Sequence, residues 1–142
     1  MPYVPYFEYC PETAEKETRC ISLLLDNNEY ELPTGNYYFT ENFCDECDCR
    51  RVFFNVFDEK MMVAVIYWGW ESLDFYRKWY GFNDKELIRQ LPGPALNEIS
   101  VQTRLAPGVL KMFKHILLPD KIYTNRIKSH YTQFRKELKK KK

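Results

Sequence analysis

The pattern of apolar and polar positions divides the chain near Gly69. Before it, apolar residues alternate or come in short runs separated by turn-forming residues; after it, they recur every three or four positions. The first pattern predicts strands and the second helices, because side chains alternate across a strand and repeat about every 3.6 residues on a helix.

Residues 1–12, rich in Pro, Tyr and Phe, predict an extended, irregular arm laid on the surface by its rings, since Pro2, Pro5 and Pro11 each lack a backbone donor. Residues 12–19 predict a short helical turn. Strands are predicted over 20–25, 30–32, 36–41, 50–57 and 61–68, with turn signals at 26–29, 33–36 and 58–60. In the strand over 50–57, Val52, Phe54 and Val56 share one face while Phe53, Asn55 and Phe57 share the other. The run over 61–68 is the most continuous apolar stretch and predicts a central strand. Such short turns make successive strands antiparallel neighbours.

Beyond Gly69, Leu73, Phe75, Tyr76, Trp79 and Tyr80 predict a helix over 71–80. Asn83 or Asp84 can cap a short helix through Leu91, and Pro92-Gly93-Pro94 breaks the chain. Residues 100–118 predict helix, with Pro107 starting or kinking a segment whose stripe is Leu105, Val109, Met112, Phe113, Ile116 and Leu117. Asp120 predicts the cap of a last helix through Leu138, with Tyr123, Ile127, His130, Tyr131, Phe134 and Leu138 on its apolar stripe. Strands followed by helices predict an α+β fold: a single antiparallel sheet formed by the N-terminal half, with the C-terminal helices packed on one face. A chain of 142 residues is expected to be one domain, with an arm at 1–12, a sheet over 20–70, helices over 71–138 and a basic tail at 139–142.

Composition adds that the core is built of large rings, since 17% of the residues are aromatic and 45% hydrophobic. No apolar run reaches the length of a membrane span, and the opening residues have neither a basic start nor an apolar core like a signal peptide. Five cysteines, an odd number with no secretory signal, predict reduced thiols in a cytoplasmic protein rather than a disulfide framework. The net charge of +1 conceals a division: residues 1–103 carry a net −9 and residues 104–142 a net +10. The two parts either face one another or serve separate partners.

The stretch that folding alone least explains is Cys44-Asp45-Glu46-Cys47-Asp48-Cys49-Arg50-Arg51, between two predicted strands. A C-x-x-C-x-C spacing on a turn lets three thiolates converge on one soft metal ion, and Cys44, Cys47 and Cys49 are the candidate ligands of zinc. A structural zinc takes four ligands; the fourth would be Cys10, Cys20, His115, His130 or water. Arg50 and Arg51 would offset the negative charge of the thiolates and their three acidic neighbours. The competing readings are a polar turn with spare thiols, and a Cys44–Cys47 redox pair, which usually opens a helix.

Residues 47–52, Cys-Asp-Cys-Arg-Arg-Val, taken with Cys10-Pro11-Glu12, Glu17-Thr18-Arg19, Gly69-Trp70-Glu71 and His130-Tyr131-Thr132-Gln133-Phe134, resemble a group of small uncharacterised bacterial proteins. The resemblance spans most of the chain and implies one compact domain. It implies no activity.

Glu41, Asp45, Glu46, Asp48 and Glu71 could gather at one sheet edge and hold a cation for phosphoester hydrolysis, but they match no nuclease spacing. Glu71 beside Gly69-Trp70 reads more simply as an acid at a helix start. Glu17 and Arg19 could pair with charges of the cysteine stretch. His130 reads as a core histidine bonded to a neighbour and His115 as solvated. Ser72, Ser100 and Ser129 sit in no nucleophile elbow, and there is no phosphate-binding glycine loop. No catalytic residue is identified. The basic last third places Lys128, Arg135, Lys136 and Lys139 off the apolar stripe, either as a solvated face or as contacts to a protein or nucleic acid. The expectation is a zinc-binding module, with a metal-dependent hydrolase and a metal-free interaction protein as alternatives.

Overall fold

A computed structural model describes residues 3–141, so Met1 and Pro2 of the predicted arm and Lys142 of the predicted tail lie outside the described residues. The fold is α+β: one antiparallel sheet of six strands with several helices. The strands are β1 (Tyr3–Pro5), β2 (Arg19–Leu23), β3 (Gly35–Cys44), β4 (Arg51–Phe57), β5 (Met62–Gly69) and β6 (Ala95–Leu96). The helices are α1 (Tyr6–Tyr9), α2 (Pro11–Glu17), α3 (Leu73–Tyr80), α4 (Lys85–Gln90), α5 (Ala106–Met112) and α6 (Lys121–Lys140), with a π-helical turn over Phe113–Leu117 after α5.

The sheet order is β1-β3-β4-β5-β6, and β2 also pairs with β3. Strand β3 is the spine. Its far flank joins β4 through Tyr38–Asn42, and its near flank is shared, β2 covering Gly35 to Phe39 and β1 covering Asn42 to Cys44. Alternation explains the core face: Tyr37, Phe39, Glu41 and Phe43 of β3 are all buried, as are Val52, Phe54 and Val56 of β4. These side chains meet Tyr6, Cys10 and Ala14 from the first two helices, Val109, Met112, Phe113 and Leu117 around α5, and the stripe of α6 in one hydrophobic cluster. All six predicted stripe residues of α6 are buried, and Asp120 caps the helix by accepting from the Ile122 and Tyr123 amides.

Several expectations are corrected. The arm is regular: β1 adds to the sheet, α1 and α2 follow, and Tyr6 is buried. Pro5 and Pro11 are compatible with this because each precedes or opens a helix, where no donor is required. No strand forms over 30–32. Asn28 instead folds the segment back, its side chain receiving the Tyr30 and Leu32 amides and donating to the Leu25 and Leu32 carbonyls. The helix expected from residue 100 starts at Ala106. The segment before it uses Gln102 and Thr103 side chains to bond β5 at Val65 and Val63. The brief β6 was not foreseen, and β5 lies next to it rather than at the centre of the sheet. Helix α6 continues through Lys140, so Lys139 and Lys140 of the expected tail are helical.

Candidate metal centre

Cys44 is the last residue of β3 and is buried, as is Cys49; Cys47 between them is half-buried. No helix begins at this stretch, which passes directly into β4. The Sγ atoms of Cys44, Cys47 and Cys49 all lie within 4.8 Å of one another. The turn aims two backbone donors at the first sulfur: the Glu46 amide at 3.4 Å and the Cys47 amide at 3.2 Å from Cys44 Sγ. These bonds fix the position of the Cys44 sulfur in the turn.

The donor set fits a soft cation. Two thiolates on one tetrahedral zinc sit about 3.8 Å apart when each bond is about 2.3 Å. To reach that geometry the 2.6 Å approach between Cys44 and Cys47 must widen by about 1.2 Å. Three nearby cysteines could therefore hold a metal ion. Burial pushes the Cys47 and Cys49 thiols up, and for Cys47 the neighbouring Cys44 adds to the effect. A bound cation would reverse this, releasing protons as it binds.

Among the described residues, no histidine, other cysteine or carboxylate joins this group. Cys10 is buried beside Tyr6, and Cys20 is exposed on β2. His115 lies against Tyr30 and Glu29. His130 has both ring nitrogens engaged: Nδ1 is 2.7 Å from Glu41 Oε1 and Nε2 is 2.7 Å from Glu17 Oε1. The Tyr3 hydroxyl lies 3.7 Å from Cys49 Sγ and is itself approached by Arg51 Nη1 at 3.4 Å.

The flanks of the cysteine turn are tightly organised. Arg50 adopts φ +51°, a left-handed backbone that a residue with a Cβ enters only at a cost of about 1 kcal/mol. Three bonds hold it there: its amide donates to the Tyr131 hydroxyl, and its carbonyl accepts from the Tyr76 hydroxyl and the Trp70 amide. Gly69 permits the approach of Tyr76, because a Cβ at that position would collide with the Tyr76 hydroxyl. The Arg50 guanidinium reaches Asp48 at 3.3 Å and Glu71 at 3.7 Å and lies over the Phe75 ring. Arg51 lies over the Phe53 and Tyr67 rings.

Helix α6 closes the other side. Tyr131 donates to Asp48 Oδ1 at 2.7 Å, and Arg135 Nη1 donates to the Cys47 carbonyl at 2.8 Å. Burial alone would raise the Asp48 carboxyl, but the Tyr131 hydroxyl and Arg50 outweigh it and hold it below the usual range. Between the turn and the helix runs an open groove of about 470 Å³, lined by Arg50, Trp70 and Tyr131 and by all four basic residues singled out on α6: Lys128, Arg135, Lys136 and Lys139.

The acids do not assemble as the hydrolase reading requires. Glu41 faces the core, where it binds His130, because its strand register places it between Phe39 and Phe43. Glu71 is spent on Arg50, and Glu17 turns to His130 and Arg126 rather than to the cysteine stretch. Arg19 lies over the Tyr123 ring. The Glu17–His130–Glu41 chain went unrecognised in the sequence, although the inward register of Glu41 on β3 signals a buried carboxylate. No helix among the described residues is long and apolar enough to cross a membrane. No protein-family model, curated protein or solved structure matches this chain.

Proposed function

We propose that this is a zinc-binding protein of the reducing cytoplasm that acts by binding rather than by catalysis. The observation that carries the reading is the convergence of Cys44, Cys47 and Cys49, with two amides turned toward the first sulfur. Thiolates select soft ions, and zinc is the commonest fit for a small sulfur-rich turn between strands. The metal would pin the segment that connects β3 to β4 and so fix Asp48 and Arg50 against α6. Among the described residues no other protein ligand is grouped with the three sulfurs, and a binding role calls for a closed site whose fourth ligand comes from this chain or a partner. Both carboxylates that a hydrolase would use, Glu41 and Glu71, already have cationic or imidazole partners, which favours the binding role.

The close approach of Cys44 and Cys47 favours one second reading, a reversible disulfide formed when an external oxidant removes two electrons and two protons. The test is elemental analysis of untagged protein purified under reducing conditions, beside a Cys47→Ser/Cys49→Ser double variant. One equivalent of zinc in the parent, lost in the variant, is expected. Metal in neither overturns the zinc reading. A two-proton mass loss on mild oxidation, abolished in a Cys44→Ser variant, would then establish the redox pair.

A further inference from the structure

We propose that the groove between the cysteine turn and α6 binds single-stranded nucleic acid, with phosphates along the helix and a base against Trp70. The proposal deepens the binding reading above by naming its partner. It does not require that the metal be zinc.

The cations form a row rather than a point. Lys128, Thr132, Arg135, Lys136 and Lys139 recur along one face of α6 and all line the groove. At about 1.5 Å per residue the row spans roughly 16 Å. That length matches four or five phosphates at the ~3.4 Å spacing of a stacked strand. None of Lys128, Arg135, Lys136 and Lys139 has a carboxylate within ion-pair distance among the described residues. The two acids of the groove share one of its cations, Arg50, with Asp48 also accepting from Tyr131, so five cations face two acids. The free charge of the groove is therefore positive.

The groove also holds an aromatic ring beside the cations. Trp70 lines the groove and meets Tyr131 edge-on, with ring centroids 5.1 Å apart. A row of cations beside an aromatic ring is the combination by which proteins hold unpaired strands, where stacking adds to phosphate contact. An acidic peptide would use the cations and leave the indole without a planar partner. A free nucleotide would use one end of the row. A duplex hides the faces of its bases inside the stack.

The test uses the purified, reduced full chain and a fluorescein-labelled dT12 strand, followed by anisotropy between 50 and 300 mM salt. Each phosphate neutralised on a single strand contributes about −0.7 to the slope of log K against log salt, so four cations predict about −3. Lys128→Ala/Lys136→Ala/Lys139→Ala, three surface changes, should reduce the slope to about −1. Trp70→Leu should weaken binding about tenfold at an unchanged slope, with affinity restored in Trp70→Phe. Circular dichroism checks that each variant is folded.

Absence of binding at 50 mM salt overturns the proposal. So does equal affinity for a 12-base-pair duplex or a dodecamer of glutamate, which would make the face a general polyanion patch. Metal analysis separates the two claims. Protein that lacks zinc but binds dT12 as described keeps this inference and removes the metal reading, while zinc-loaded protein that ignores dT12 does the reverse.

Discussion

Consecutive residues of α6 serve two polar clusters of opposite character. His130 turns inward to a chain of charge with Glu41 and Glu17, stacked on Tyr6, and its side chain is only 3% exposed. Tyr131 reaches the cysteine turn, where Asp48 and Arg50 remain well exposed to solvent. At His130 and Glu41 the low dielectric magnifies an unmet charge, while Glu17 at the chain's outer end and the whole second cluster are screened by water. Equal distances in the two places therefore carry unequal energies.

The largest expected effect follows from removing one partner in the buried chain. His130→Ala leaves Glu41 in the core without a counter-charge and should cost about 3–5 kcal/mol, lowering the melting temperature by on the order of 10 °C. A loss below about 1 kcal/mol would mean that water enters the cluster and that the two regions are alike.

The next effect is a pH dependence. Burial alone would lower the His130 value, but hydrogen bonding to Glu41, its charge, and Glu17 outweigh burial and hold it above the ordinary 6.5. A raised histidine stabilises fully below its unfolded value and loses that contribution as pH rises through the folded value. Glu41 acts in the same sense: burial lifts its carboxyl, against the pull of His130, so rising pH asks the core to carry a charge it disfavours. Glu17, Arg126, Tyr6 and Tyr123 are the other titratable or charged neighbours. Urea unfolding should give a stability that falls from pH 6 to pH 8.5, with a flatter profile for His130→Gln. Parallel profiles for the two proteins would discard this assignment.

The smallest effect belongs to the exposed cluster. Arg50→Gly relieves the left-handed backbone and loses solvent-exposed ion pairs, each worth about 0–1 kcal/mol, so unfolding should shift by no more than about 1 kcal/mol. A loss of 3 kcal/mol would move the cysteine turn into the same class as the buried chain.

The two clusters also differ in how far the sequence reveals them. Cys44, Cys47 and Cys49 share a turn and need only local geometry to converge, so their spacing is informative. Lys128, Arg135, Lys136 and Lys139 share a helix, whose period places them on one side. Glu17, Glu41 and His130 come from α2, β3 and α6, and no spacing encodes their meeting. What was available was weaker: a carboxylate at an inward strand position and a histidine on an apolar stripe, each wanting a partner. Helix α6 and β4 follow from strong periodicity and a capping residue. The strand expected over 30–32 failed because Asn28 offers the backbone a local alternative, and β1 was missed because prolines tolerable at an edge suggested an irregular arm.

The divided flank of β3 carries a further consequence. On that side β2 ends its pairing at Phe39 and β1 resumes at Asn42, and between the two strands the chain departs through α1 and α2. The opposite border is β6, two residues long. The β6 and β1 borders are two and three residues long and offer no long row of free backbone donors and acceptors, whereas β2 has no strand partner on its outer side over Arg19–Leu23 among the described residues. Strand addition by a peptide or a second chain would be confined to that outer edge of β2. Elsewhere on the sheet, a partner would have to be met by side chains.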